Sequence, residues 1–297
     1  MNHIPTSVDP LPIQTENPSF LYRRFSQAGP PSLRVFGAGE YRVISVPGHY
    51  SVSYFLEGPI QLALVDVGSV CDLPRLEQIA QWLGKPVRML LPTHLHCDHI
   101  MGLEGAARLF RTAISLGRVA REHVEAARPL GGFHPQLLPH FLKLWITQGA
   151  PLFRPADLPR GLRFGFPWSR NQFSASLGPV LPHGQDLPGF PGWSLLETPG
   201  HSHDSICLFH PESGSLIAGD TLLNYQGGEW NRLVADPRAY QQTRSRLCAL
   251  PIRVVFPGHG PPIAGESTFD RLRAIEGKSK RWLTPPLDGR RSADQRV

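Results

Sequence analysis

An α/β sandwich, two blocks of strands each closed by helices, is the fold class this sequence predicts, and three observations carry it. Short, β-branched, partly alternating runs crowd residues 33–68 and return at residues 192–220. Helical periodicity follows each block. The histidines and aspartates of greatest chemical interest stand directly after apolar runs, which is how a sheet sandwich delivers loops to one rim.

Residues 1–32 are rich in proline and serine with little periodicity, which predicts an extended N-terminal segment. The runs LRVFG, YRVISVP, YSVSYFLE and LALVDVG then read as consecutive strands of a meander. Asp72-Leu73-Pro74 opens a helix to about Leu83, with Pro74 in the first turn and Leu76, Ile79, Ala80 and Leu83 on one face. VRMLLPT is a buried strand by its continuous apolar run, and His94 follows it. Residues 102–110 read as helix, TAISLG as strand, and residues 118–128 as a further helix.

From about Pro129 to Gly178 the alternation breaks, and Pro, Phe, Trp and Arg become frequent. One amphipathic piece, PQLLPHFLKLWITQG, places Leu137, Leu138, Phe141, Leu142 and Trp145 on one helical face. This insertion, residues 129–178, reads as a helix packed on the core and as a cap over a substrate pocket. Strands resume with GWSLLETPG, SICLFHP and SLIAGD, followed by a helix at 237–250, the strand-turn IRVVFPGHG and a last helix near 267–283. The sequence thus predicts one domain over residues 33–283 and a flexible tail over 284–297.

Composition narrows the function. With 297 residues, 41% of them hydrophobic, the chain can bury a large core. The net charge of +6 comes almost wholly from arginine, and no basic–aromatic interleaving points to nucleic acid. The four cysteines, Cys71, Cys97, Cys207 and Cys248, show no CxxC spacing, so neither a zinc ribbon nor a disulfide framework is expected. The first residues lack a signal peptide's basic start and apolar run, and no apolar stretch reaches the roughly 18 residues of a membrane span. A cytoplasmic protein without a membrane partner is the expectation.

His94, His96, Asp98 and His99 form H-x-H-x-D-H immediately after a strand, where a short loop can turn all four side chains toward one point. Imidazole and carboxylate suit zinc, and iron and manganese accept them too. His201 in TPGHSHDS, Asp220 in LIAGDTLL and His259 in FPGHGPP repeat this placement after three other strands, each beside a glycine. Cys97 and Leu95 alternate with the ligands and should point into protein. His203 is expected to be exposed or to bond its loop, and His49, His123, His134, His140, His183 and His210 read as structural or surface residues.

With Asp66 in LVDVG placed first, this order of motifs resembles the metallo-β-lactamase superfamily over residues from about Leu33 to Gly260. The resemblance implies that family's αββα sandwich and two divalent metal ions, zinc first, with iron or manganese as alternatives. It implies that His94, His96 and His201 hold one metal, Asp98, His99 and His259 the second, and that Asp220 bridges them. Asp66 would orient the metal loop. A metal-bridging hydroxide would be the nucleophile, with Asp98 steering its proton and Tyr225 donating to an oxyanion.

Asp220 stands where the lactamases that name the family carry cysteine or serine, which argues against β-lactams. The stretch after His259 is too short for the glutathione-binding domain of glyoxalase II, and no β-CASP insertion separates Asp220 from His259. A hydrolase of a small-molecule carboxyl ester, thioester or lactone follows, similar to the lactonase and glyoxalase II-like branch. In the insertion, Phe133, Phe141, Trp145, Phe153, Phe164, Phe166 and Trp168 would supply an apolar wall. Arg154, Arg160, Arg163 and Arg170 would meet an anionic, partly apolar substrate. A homodimer is compatible with this reading. A mononuclear iron sulfur dioxygenase and a metal-containing signal-response protein acting through partner contacts are the alternatives.

Overall fold

The computed structural model describes residues 34–128, 154–165, 169–225, 227–264 and 272. The N-terminal segment, the amphipathic piece at 135–149 with Phe133, Phe141, Trp145 and Phe153, Phe166 and Trp168, all of the predicted last helix except Leu272, and the tail lie outside the described residues.

The meander forms as predicted: β1 (Arg34–Ala38), β2 (Tyr41–Pro47), β3 (Val52–Glu57) and β4 (Leu62–Val65) pair antiparallel in succession. A single 3-10 turn (Val70–Asp72) leads into α1 (Leu73–Leu83), which has Pro74 in its first turn and is capped by Gly84 with φ 67°, a left-handed conformation that glycine adopts without strain. β5 (Val87–Leu91), a short helical turn α2 (Cys97–Ile100), α3 (Leu103–Phe110), β6 (Ile114–Gly117), α4 (Arg118–Glu125), a second short turn α5 (Leu158–Gly161) and β7 (Leu177–Leu181) follow. β5, β6 and β7 add to β4 in parallel and complete a seven-stranded sheet in the order β1 to β7.

The second block gives β8 (Asp186–Leu187), β9 (Phe190–Glu197), β10 (Ile206–His210), β11 (Ser215–Gly219), the small hairpin β12 (Leu222–Leu223) and β13 (Glu229–Trp230), α6 (Pro237–Cys248), β14 (Val254–Pro257) and β15 (Ile263–Ala264). Its six-stranded sheet runs β15-β14-β11-β10-β9-β8, with β11 and β14 parallel. Asp236 caps α6 by accepting a hydrogen bond from Ala239 N.

Strands buried on both faces explain the apolar runs. In β10, Ile206 and Leu208 face the layer between the sheets, where they join Tyr54, Phe190, Trp193 and Phe256, while Cys207 and Phe209 face the layer under α6 with Tyr240 and Leu247. A third apolar layer packs Leu76, Ile79, Leu103, Ala106 and Val124 of the helices on the outer face of the first sheet. Helix, sheet, sheet and helix therefore stack as the expected αββα sandwich. All four cysteines are free thiols. Among the described residues, no helix is long and apolar enough to cross a membrane.

Two findings differ from the sequence reading. The strand β7 begins inside the stretch read as insertion and belongs to the first sheet. The motif expected as a plain loop after β5 closes into the helical turn Cys97–Ile100, held by Met101 N donating to Cys97 O.

Candidate metal centre

Each candidate ligand leaves the end of a strand at one rim of the sandwich. Asp66 follows β4, His94 and His96 follow β5, His201 lies between β9 and β10, and Asp220 and His259 follow β11 and β14. Because β11 and β14 are parallel neighbours with Gly219 opposite Pro257, Asp220 and His259 emerge side by side. Main-chain bonds from Ile206 N to Thr93 O, 2.9 Å, and from Val52 N to Gly258 O, 2.8 Å, tie the two sheets together beside the site.

Three clusters bring one donor atom from each residue within 4.8 Å of the others: His94, His96 and His201; His94, His99 and Asp220; Asp98, His99 and His259. In the first, His96 Nδ1 stands 2.9 Å from His94 Nε2 and 3.0 Å from His201 Nε2. In the last, Asp98 Oδ2 lies 3.2 Å from His259 Nε2. Asp220 spans them, with Oδ2 3.6 Å from His201 Nε2 and Oδ1 3.2 Å from His99 Nε2 and 3.4 Å from His259 Nε2. Cys97 belongs to none of the three clusters and His203 is exposed, as the sequence reading had them. Tyr225 stacks on His259 with ring centroids 5.9 Å apart.

The surrounding bonds fix which nitrogen of each ring faces inward. His201 Nδ1 lies 2.7 Å from the carbonyl of Leu233, so it carries the proton and Nε2 presents a lone pair to the cluster. His99 Nδ1 donates to Asp66 Oδ2 at 2.9 Å, which turns Nε2 inward. Asp66 also accepts from Thr93 N and Thr93 Oγ1, at 2.6 and 2.8 Å. It holds φ 58°, a left-handed conformation that aims its carboxylate back under the metal loop.

Charge is concentrated accordingly. Burial, and then the neighbouring His99 and His96, push His94 well below the ordinary imidazole range. Burial and His201 bring His96 to about 3. His99 goes the other way, to about 10, because Asp66, Asp220 and Asp98 outweigh the burial that would lower it. Burial would raise the Asp220 carboxyl, but His259 and His99 hold it well below its usual value.

This donor set fits divalent metal. His94 and His96, buried and disfavoured as cations, converge with His201 on one point, an arrangement that suits a metal cation among them. His99 Nε2 and Asp220 Oδ1 are buried with no hydrogen-bond partner among the described residues, although each has a polar neighbour. A missing bond inside a packed site needs a reason, and a metal ligand supplies one. Gly258 makes room: a Cβ there would collide with Asp220 Oδ1.

Sequence reasoning missed two positioning residues. Asp204, buried although the preceding His203 is exposed, accepts from Leu95 N at 2.8 Å and so grips the metal loop from the second sheet. Asn231 Nδ2 donates to the carbonyl of Asp220 at 2.9 Å and lies 3.1 Å from His201 Nδ1. Asp204 stands in HSHDS beside a ligand, and that adjacency was the available signal.

The stem of the insertion closes on the same loop. Asp157, fully buried, accepts from Ser69 Oγ at 2.6 Å and from Val70 N at 2.9 Å. Gly165, at φ 77°, packs so closely on the metal loop that a Cβ would collide with the main chain of Cys97. Phe164 is buried in the outer core and stacks on Phe173, so it is not part of an apolar wall facing substrate.

Comparison with known proteins agrees with this geometry. The family model of the metallo-beta-lactamase superfamily matches residues 46–259. The chain is 28% identical to the probable metallo-hydrolase YqjP of Bacillus subtilis over 271 residues, 81% of this chain and 79% of that one. It is 24% identical to the linear primary-alkylsulfatase of a Pseudomonas species over 78% of this chain and 47% of that longer one. The solved structure of the metallo-beta-lactamase family protein TTHA1429 from Thermus thermophilus matches with a TM-score of 0.53 and 24% identity, covering 80% of this chain and 78% of that one. The chain belongs to the metallo-beta-lactamase superfamily, and it is an enzyme of the metal-dependent hydrolase type.

Proposed function

We propose that the chain hydrolyses a carboxyl ester, thioester or lactone of a small molecule, using two divalent metal ions with zinc the first choice. One ion is held by His94, His96 and His201, the other by Asp98, His99 and His259, with Asp220 between them. The observation that carries this reading is the division of Asp220: one carboxylate oxygen faces His201 and the other faces His99 and His259. A carboxylate between two cations offsets their repulsion and favours a paired site.

Such ions, when bound, supply Lewis acidity that brings water toward ionisation at neutral pH and polarises the acyl oxygen. The protein's own residues do the rest. Asp66 and the Leu233 carbonyl set the tautomers of His99 and His201. The Asp98 side chain, 34% exposed and beside His259, is the group at the rim that takes and returns the proton. Tyr225, stacked on His259, donates its hydroxyl to the developing oxyanion. The insertion, 129–178, acts as a cap, a reading supported by its stem, which is bonded at Asp157 and packed at Gly165 to the loops that carry the site.

Two relatives that match over short stretches favour acyl chemistry by their names: an atrochrysone carboxyl ACP thioesterase of Aspergillus fumigatus, 36% identical over 66 residues, and a hydroxyacylglutathione hydrolase of Nitrosococcus oceani, 38% identical over 68 residues, each 22% of this chain. The alkylsulfatase, aligned over 78% of this chain, favours sulfate esters as the second reading. The cytoplasm is the proposed location. The test is a panel of ester, thioester, lactone, alkyl sulfate and phosphodiester substrates, with metal content measured on the same sample. Two metals per chain and turnover of a carbonyl substrate are expected. Turnover of the alkyl sulfate alone would replace the first reading with the second, and a single iron with oxygen uptake on a persulfide would overturn both.

A further inference from the structure

Of the four arginines in and beside the insertion's stem, three are accounted for or isolated. Arg160 donates to Ala156 O in its own turn, and Arg163 lies over the Phe164 ring and bonds Gln172 O. Arg170 is exposed, and no contact among the described residues places it. Arg154 differs. Its main-chain N donates to Tyr50 Oη at 2.8 Å, and its O accepts from Asp157 N and Leu158 N, so the residue is fixed at the start of the stem.

The side chain is fixed as well. Arg154 Nε donates to His49 Nδ1 at 3.2 Å, and His49 N is bonded to Asp72 Oδ2 at 2.9 Å. The His49 ring also packs edge-on against Tyr50, centroids 4.5 Å apart. The ring thus steadies the guanidinium, and among the described residues Arg154 forms no ion pair. Asp157 is sealed against Ser69 and Val70.

This pair stands close to the metal loop. His49 is two residues, at most about 7 Å, from Ser51. Ser51 Oγ donates to Asp98 O at 2.6 Å, and the next residue, Val52, bonds Gly258 beside His259. We propose that Arg154, steadied by His49, forms an anion-reading subsite on the rim of the metal centre, taking a carboxylate or phosphate that the substrate carries several bonds from the bond that breaks. A planar guanidinium matches either anion with two parallel donors, and it keeps its charge at any pH the enzyme meets. The proposal rests on the hydrolase reading and names the substrate class within it.

The test compares mono-(4-nitrophenyl) adipate and suberate with 4-nitrophenyl hexanoate and octanoate, pairs that differ only by a terminal carboxylate or methyl. The native enzyme is expected to prefer the acid of at least one pair in kcat/KM, and Arg154→Gln to lower that preference about tenfold, mostly through KM. His49→Gln lowers it less, and Arg154→Lys restores part of it. A native enzyme without preference, or an equal loss on both members of each pair, would overturn the subsite. Should none of these esters be hydrolysed, the hydrolase reading is decided by the thioester, lactone and sulfate members of the panel, and calorimetry with adipic acid monoanilide and hexananilide decides the subsite alone. Tighter binding of the acid, lost in Arg154→Gln, would support it, and equal binding would overturn it.

Discussion

Asp66 Oδ2 accepts the Nδ1 proton of His99 at 2.9 Å, and this one bond decides that the other nitrogen of the ring looks toward Asp220. An outer partner of this kind fixes ring orientation and raises basicity, and its loss costs roughly 10–100-fold in metal affinity. Asp66→Asn is a fair test because asparagine tolerates the left-handed backbone at this position. Metal affinity, measured by competition with a chelator, is expected to fall within that range. Unchanged affinity would show that His99 is oriented by packing alone.

Asp220→Asn removes the charge between the two groups of imidazoles. Turnover is expected to fall by more than the roughly 10–100-fold assigned to an outer partner, and metal content to drop from two per chain toward one. Two tightly held metals in the variant would remove the bridging role from Asp220.

Gly165→Ala places a methyl group against the main chain of Cys97 at a positive φ. Strain of about 1–3 kcal/mol is expected, together with weaker metal retention, since the stem and the metal loop must separate. Thermal unfolding and metal content read both. A loss of stability with full metal retention would mean that the stem docks without bearing on the site.

Glu57 governs a pH effect away from the site. It is 3% exposed and accepts from Arg42, at 2.7 and 2.8 Å, and from Lys85 Nζ at 2.7 Å. Burial alone would raise its carboxyl, but the bonds from Arg42 and Lys85 outweigh it and hold the pKa below the ordinary 4.5. A depressed pKa contributes stability above the unfolded value and loses it as pH falls through the folded one. Denaturant midpoints should therefore fall as the solution is acidified below about pH 4.5. Glu57→Gln should be weaker at pH 7 by about 1–2 kcal/mol, a discounted value because the Arg42 side chain is 39% exposed, and flatter in acid. Parallel acid curves would assign the loss to other carboxylates.

Much of this was legible in the sequence because it is local. The H-x-H-x-D-H run needs no tertiary knowledge, and His201, Asp220 and His259 announce themselves by standing after apolar strands. Asp204 and Asn231 do not, since their partners are a main-chain N–H 109 residues away and a ring nitrogen 30 residues away. A main-chain partner leaves no mark in the text of a sequence. The edge strand β7, LGPVL, carries glycine and proline and is only partly buried, so its pattern resembles a loop. The turn Cys97–Ile100 is four residues long, too short for helical periodicity to show.

The rim on which the ligands gather is also a seam between two sheets. His94, His96, Asp98 and His99 belong to the first sheet, and His201, Asp220 and His259 to the second. In the proposed arrangement each ion draws on both, and so each works as a rivet through the sandwich. Occupancy and folding stability then become one linked quantity, with every tenfold rise in free metal beyond its dissociation constant adding about 1.4 kcal/mol per ion. In that arrangement the supply of metal sets how firmly the two sheets are joined, and removal of the ions is expected to loosen the sandwich along this seam.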